Sequence, residues 1–384
     1  MLLSTAIAPS YEILRPTLLH EPGTVFPVYE HLIDDLVGAT GLPDPTVQHT
    51  LAVASGYAYS DAATMTEMMA RMGLEENRCL QASMTVEPMF IDSCAYVVQS
   101  RDGRVVIVAY RGTELSKVVS WLTDADAHPD QIAFPFPDTQ QPYPIHAGFY
   151  RNVRATRYVV VDALKRAARG WPVVEPDPTA AEGTCRPTVV ADEDARGPLE
   201  PMTSLYVTGH SLGGAMAALL SVMLAVEPQY VDRFSDMFRG ACTFGQPMVG
   251  APDFAKACTA DEFLRERVVR YVYEKDPVPH LPPRLVGKYE HFGQEWRFDE
   301  PKGWKNTSGS PIAQEHGLGS LLMAPLTFAA RQIPALERLP FEYSADDHAP
   351  HHYISALTPQ GVPNEFGDAE LFRGDDGVHP VPGA

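Results

Sequence analysis

The chain has 384 residues, 45 % apolar and 21 % charged, which excludes a disordered, collagenous or disulfide-stapled miniprotein and allows one large α/β domain with insertions. Its 30 basic and 49 acidic side chains give a net charge of −19, so nucleic-acid phosphates repel it, anionic lipid offers no attraction, and any lipid contact has to be apolar. The five cysteines (Cys79, Cys94, Cys185, Cys242, Cys258) form no CxxC pair and no metal-ligand spacing with histidine; they read as reduced thiols, with Cys94 and Cys242 in the core.

Met1 to Pro9 lacks a basic region and the acids Glu21, Glu30, Asp34 and Asp35 follow, so no secretory signal is evident and a cytoplasmic location is expected, with secretion in a processed form left open. A helical segment is expected over about 20–80, where Tyr29, Leu32, Ile33 and Leu36 recur at helical spacing and Leu51 to Met72 is rich in Ala, Met and Tyr. Ala95 to Ser100 and Val105 to Tyr110 are apolar, β-branched runs around Arg101-Asp102-Gly103, which predicts a hairpin. Phe149 to Ala168 suits a helix and leads into an acidic, proline-rich surface insertion over about 171–201. Leu205 to Thr208, Ala241 to Phe244 and Val268 to Tyr273 read as strands and Ala215 to Val226 as a helix. This alternation predicts a mostly parallel central sheet with helices on both faces.

Pro201 to Val226 carries no Asp, Glu, Lys or Arg and is long enough for a membrane span, but the Gly-His-Ser-Leu-Gly-Gly inside it suits a buried strand, sharp turn and buried helix better. Tyr289 to Phe298 alternates like an edge strand. A second insertion is expected over about 300–340, including an apolar helix at Leu318 to Ile333, and the tail beyond Gln360 is loop-like. With no internal repeat and no convincing linker, residues 1–384 read as a single domain.

The strongest chemical signal is Gly209-His210-Ser211-Leu212-Gly213, a GxSxG pentapeptide between an apolar strand and an alanine-rich helix. A tight strand-to-helix turn lifts the serine out of the chain, and Gly209, Gly213, Gly214 and Ala215 let the backbone close around it. The helix start aims free N–H groups at a developing oxyanion. A serine hydroxyl needs a histidine base, and the histidine needs a carboxylate; where such an elbow occurs the chain order is Ser, acid, His. Asp276 fits, between the strand Arg270 to Tyr273 and the rigid Pro277-Val278-Pro279, although an Asp before Pro also serves as a plain turn residue. The residues alone leave three bases open: His348, His351 and His352. No HExxH and no cysteine-histidine cluster appears, so neither metal nor cofactor is expected.

Several segments occur in one order: Ala52 to Asp61, Val106 to Glu114, Trp121 to Asp124, His146 to Tyr150, Gly209 to Ala215, Thr243 to Gly250 and Arg270 to Pro279. In these the chain resembles a class-three lipase, the fungal-lipase type of α/β hydrolase, over roughly residues 50–355. The resemblance implies an α/β-hydrolase fold and a serine carboxylic-ester hydrolase that cleaves acylglycerol or related lipid esters through an acyl-enzyme, with the triad Ser211, Asp276 and His348. His348 with Tyr353-Ile354 matches the family's His-x4-Tyr-(Leu/Ile), and His352 stands next. It also implies oxyanion donors at Leu212 and Thr113 and a supporting His146, while Arg111 reads as a structural residue paired to an acid at the end of the strand. Leu115, Val118, Val119 and Leu122, with Trp121 adjoining, describe a short amphipathic helix. The lid of the resembling lipases occupies this position, which implies transient contact with a lipid interface, while an ordinary surface helix is the plain alternative. The partners implied are a lipid or small-molecule ester and no nucleic acid; the oligomeric state is left open. A phospholipase A1 or small-ester esterase on the same triad, and a catalytically silent hydrolase-fold binding protein, are the rival readings. The long Asp276-to-His348 interval departs from the compact fungal pattern, so substrate shape does not carry over.

Overall fold

Two aspartates set the entry to the fold. Asp44 accepts from the Thr46 and Val47 amides with Pro45 in the first helical turn, and Asp61 accepts from the Thr64 amide, so each stops one stretch of chain and starts the next helix. The helices are α1 (Leu32–Gly38), α2 (Pro45–Tyr57) and α3 (Ala62–Met72). The computed structural model describes residues 27–87, 91–113, 129–137, 141–176, 185–190, 195–284, 287–313, 344, 346–360 and 362.

After α3 come β1 (Arg78–Val86), β2 (Ile91–Gln99) and β3 (Val105–Tyr110), paired antiparallel. The turn between β2 and β3 is the expected hairpin, held by Asp102, which accepts from the Ser100 hydroxyl at 2.6 Å and the Arg104 amide at 3.1 Å. A small ribbon of β4 (Pro129–Ile132) and β5 (Tyr143–His146) leads into α4 (Ala147–Ala167). The acidic insertion contains a second ribbon, β6 (Val174–Pro176) and β7 (Cys185–Pro187). Then follow β8 (Ser204–His210), α5 (Leu212–Val226), α6 (Pro228–Phe234), β9 (Phe238–Phe244), α7 (Pro252–Ala260), α8 (Glu262–Arg267), β10 (Val268–Tyr273), β11 (Gln294–Asp299), β12 (Gly303–Asn306) and α9 (Pro350–Leu357).

Eight strands form one sheet in the order β1-β2-β3-β8-β9-β10-β11-β12, parallel from β3 to β11. Alternate residues serve opposite cores. Val106, Val108, Tyr110, Leu205 and Val207 pack with α4 and α5, whereas Val105, Ile107, Ala109 and Tyr206 pack with α1 to α3 and α9. Burial on both faces is why these strands read as unbroken apolar runs rather than alternating ones. Cys94 and Cys242 lie buried in β2 and β9. The uncharged run Pro201 to Val226 is β8 joined to α5 inside this core, and no single helix among the described residues is long and apolar enough to cross a membrane.

Two expectations need correction. Tyr289 to Phe298 was expected to be an edge strand, but β11 starts only at Gln294 and β12 pairs outside it, so β12 is the edge. Residues 303–306 therefore belong to the main sheet and not to the insertion expected from about 300. The expected helix Leu318 to Ile333 lies outside the described residues, as does the tail from 363 onward. The carboxyl ends of β3, β8 and β10 converge at one edge of the sheet, the place where such sheets hold their sites.

Candidate active site

Ser211 joins β8 to α5 with φ 59° and ψ −129°. A side chain in this region costs about 1–3 kcal/mol and persists only where the surroundings impose it. Here they do: the Ser211 amide donates to the Phe244 carbonyl at 2.9 Å, and the amides of Gly214 and Ala215 bond back to its carbonyl. The turn closes so tightly that a Cβ on Gly209 would sit 2.3 Å from the Gly213 carbonyl group, and one on Gly213 would sit 2.3 Å from the Tyr110 carbonyl oxygen. Alanine at either position would open the elbow and separate it from the end of β3.

That second contact matters because β3 runs on into Thr113. Thr113 is buried, and its hydroxyl has no hydrogen-bond partner among the described residues. Leu212 is the first residue of α5, so its amide has no intrahelical acceptor and adds to the positive end of the helix. Arg111, just before, points elsewhere: its guanidinium bonds Asp92 Oδ1 at 2.8 Å.

Asp276 follows β10 on a turn closed by its amide onto the Tyr273 carbonyl at 2.9 Å. Its carboxylate is fully engaged, with Oδ1 accepting from the Val278 amide at 2.8 Å and Oδ2 accepting from His348 Nδ1 at 2.8 Å and from the Tyr353 hydroxyl at 2.5 Å. A carboxylate held by three donors fixes the imidazole tautomer, leaving Nε2 of His348 as the free acceptor. Both His348 Nε2 and Ser211 Oγ are buried with no hydrogen-bond partner among the described residues.

The segment carrying His348 is bound to the acid's own loop: the Ser344 amide donates to the Lys275 carbonyl, and the Lys275 amide donates to Asp347 Oδ2. The other two histidines have different neighbours. His352 stacks on Tyr273 at 5.1 Å with Nε2 3.4 Å from Asp346, and the His351 ring lies 4.1 Å from that of His352. His146 caps α4 and stacks on Phe149 at 3.9 Å; burial pushes its pKa down to about 3, which keeps the imidazole neutral. Leu115, Val118, Val119, Trp121 and Leu122 lie outside the described residues. No group of three or more His, Cys, Asp or Glu among the described residues has the geometry to hold a metal ion.

Two contributors were not singled out by the sequence reading as functional. Tyr353 appeared there only as a spacing partner, yet its hydroxyl both donates to Asp276 and accepts from the Tyr273 amide at 3.1 Å. Gly245 turns with φ +55°, and a Cβ there would lie 2.6 Å from Asp276 Oδ2 and 2.8 Å from His348 Nδ1. No local signal marks it beyond a glycine directly after a strand.

Residues 107–286 match the family model described as Lipase (class 3). Among curated proteins, a triacylglycerol lipase of Ricinus communis is 25 % identical over 246 residues, covering 59 % of this chain and 44 % of its own length. A lipase of Rhizopus oryzae is 30 % identical over 213 residues, covering 55 % of this chain and 43 % of its own. A secreted mono- and diacylglycerol lipase of Fusarium solani is 35 % identical over 122 residues, covering 32 % of this chain and 33 % of its own. The matched stretches thus span less than half of these relatives. Among solved structures, the triacylglyceride lipase of Rhizomucor miehei aligns with 79 % of this chain and 91 % of its own, at 20 % identity and a TM-score of 0.46.

Proposed function

We propose that the chain, whose residues 107–286 match the class 3 lipase family model, is a serine carboxylic-ester hydrolase acting on acylglycerols or related lipid esters. The observation that carries this reading is the hydrogen bond of His348 Nδ1 to Asp276 Oδ2 at 2.8 Å, with Nε2 buried and unpartnered among the described residues, together with a serine held at φ 59° at the start of a helix.

In this reading Ser211 Oγ attacks the ester carbonyl carbon as His348 Nε2 takes its proton. The Asp276 carboxylate stabilises the resulting imidazolium, and the carbonyl oxygen becomes an oxyanion facing the Leu212 amide and Thr113. Collapse expels the alcohol, which leaves with the proton from His348. Water then enters and attacks the acyl carbon as His348 takes its proton; the second collapse breaks the bond to Ser211 Oγ, His348 returns the proton to Oγ, and the carboxylic acid departs. Ser211 is wholly buried, so in this conformation the nucleophile is closed to bulk ester and the cleft has to open before acylation.

The test is labelling with a fluorophosphonate and mapping of the modified peptide, paired with ester hydrolysis by Ser211→Ala. Labelling at Ser211 and a loss of roughly a million-fold in kcat are expected. A Ser211→Ala protein that hydrolyses p-nitrophenyl esters at the parent rate would overturn the proposal. A parent that neither labels nor hydrolyses any ester would leave the fold as a binding protein. A panel of acylglycerols, phospholipids and short soluble esters then separates a lipase from a phospholipase A1 or a small-ester esterase.

A further inference from the structure

The residue before the serine has a job of its own. His210 ends β8 and its ring is buried, with both nitrogens engaged by groups from distant parts of the chain. Nε2 meets the backbone carbonyl oxygen of His348 at 2.6 Å, and Nδ1 meets the hydroxyl of Tyr59 at 2.8 Å. A carbonyl can only accept, so Nε2 carries the proton; Nδ1 is then the acceptor and the Tyr59 hydroxyl the donor. The His348 carbonyl therefore sets the tautomer of His210, and the Tyr59 hydroxyl holds the ring through Nδ1. The ring lies 4.5 Å from that of His348 at a 34° tilt.

Tyr59, in the turn between α2 and α3, also reaches the oxyanion side of the cleft. A Cβ on Gly112, the residue before Thr113, would sit 2.1 Å from the Tyr59 hydroxyl oxygen and 2.6 Å from the His210 carbonyl oxygen. One hydroxyl and one imidazole thus touch the neighbours of Thr113 and Ser211 and the peptide of His348 itself. Asp276 fixes which way the His348 ring points; the bond from His210 fixes how far its backbone stands from the serine.

Resting on the hydrolase reading above, we propose that His210, oriented by Tyr59, is a positioning residue that sets the spacing between Ser211 and His348. Charge sharpens the case. Burial first, and then the neighbouring His348, hold the pKa of His210 well below the ordinary histidine value, so it stays neutral across the working range. A neutral ring beside His348 lets that imidazole become positive during proton transfer, whereas a second cation 4.5 Å away would oppose it. The other groups around the ring are Tyr353, at 5.9 Å, and His351, whose influence on His210 is again to disfavour a positive charge.

The experiment compares His210→Phe, His210→Gln and Tyr59→Phe with the parent. Phenylalanine keeps the bulk and loses the donor, while glutamine can still donate to the His348 carbonyl. Displacing a catalytic group by about 1 Å costs on the order of 100-fold, so His210→Phe is expected to lose about that factor in kcat and in the rate of fluorophosphonate labelling, each taken per folded molecule, with KM for a short soluble ester near that of the parent. His210→Gln should recover most of the loss. Tyr59→Phe should fall between the two, and imidazole nitrogen NMR should show the Nδ1 resonance of His210 shifting as it loses its donor while Nε2 keeps its proton. Parent-like kcat in His210→Phe, or equal losses in His210→Phe and His210→Gln that track the folded fraction, would overturn the proposal. If the parent itself fails to label, the hydrolase reading falls, and the Nδ1 resonance still decides whether Tyr59 orients His210.

Discussion

Gly245 shows how little room the site leaves around its charge pair. With φ +55° and a hypothetical Cβ 2.6 Å from Asp276 Oδ2 and 2.8 Å from His348 Nδ1, alanine there would be strained in its backbone and would press between the acid and the base. Gly245→Ala is expected to lower kcat about 100-fold with KM for a short ester nearly unchanged, because the loss is of alignment rather than of binding. Steady-state kinetics check this, and a parent-like kcat would mean that the Asp276–His348 contact does not govern the rate. The difference between Gly245 and Ser211 is also a difference in what a sequence can reveal. Ser211 is announced by its immediate neighbours, since Gly209 and Gly213 serve a turn that is local. The glycine at 245 serves two side chains that arrive from far downstream, and nothing in Thr243-Phe244-Gly245-Gln246 encodes their approach. The choice among His348, His351 and His352 is of the same kind, because it depends on which ring faces Asp276.

At the level of elements, the strand holding the acid is locked to its neighbour by an ion pair removed from water. Arg270 in β10 bonds Glu295 in β11 at 3.0 Å with side-chain exposures of 2 % and 0 %, and Arg270 Nε also bonds the Phe292 carbonyl. Burial by itself would raise the Glu295 pKa, but Arg270, followed by His291, the Ile312 amide and Arg297, holds it down at about 2 against an ordinary 4.5. A carboxyl with a lowered folded-state pKa binds protons more readily when unfolded. Its stabilisation is therefore complete above pH 4.5 and is lost as the pH falls toward 2. Urea unfolding across that window should show the parent weakening. Glu295→Gln should lose about 3–5 kcal/mol at neutral pH, having left Arg270 buried without its counter-charge, and should depend less on acid. An unchanged acid slope in Glu295→Gln would assign the acid sensitivity to other carboxylates. The elements themselves were unequally legible. Val105 to Tyr110 and Val268 to Tyr273 are found at their predicted bounds because burial on both faces makes an apolar run unmistakable. β1, half exposed, and β12, a short edge strand, carry too few apolar residues to stand out, and β12 consequently read as part of an insertion.

Across the whole molecule, the sheet is stable only when both of its faces are covered, and the family match from 107 to 286 supplies only one cover. The other is made by α1 to α3 and α9, whose contacts reach the strands that carry the site. The Tyr206 hydroxyl bonds the Leu36 carbonyl at 2.6 Å, the Thr208 hydroxyl bonds the Leu51 carbonyl at 3.1 Å, and the Tyr271 hydroxyl bonds Gln48 at 2.6 Å. α9, which directly follows His348, packs on α2 and anchors Thr358 to His49 at 3.3 Å. The helical character of residues 20–80 was readable from the spacing of their apolar side chains; that they hold the sheet was not, because Tyr206, Thr208 and Tyr271 look like ordinary strand residues until their partners are known. A fragment of residues 107–286 would keep Ser211 and Asp276 but would bare Ile107, Ala109, Phe244 and Tyr271 to water and lack His348. Such a fragment is expected to show no cooperative thermal transition, to aggregate on size exclusion and to take up no fluorophosphonate, whereas the full chain should unfold cooperatively. A monomeric 107–286 fragment that unfolds cooperatively would mean that the face under α2 tolerates exposure and that the N-terminal helices contribute to the cleft alone.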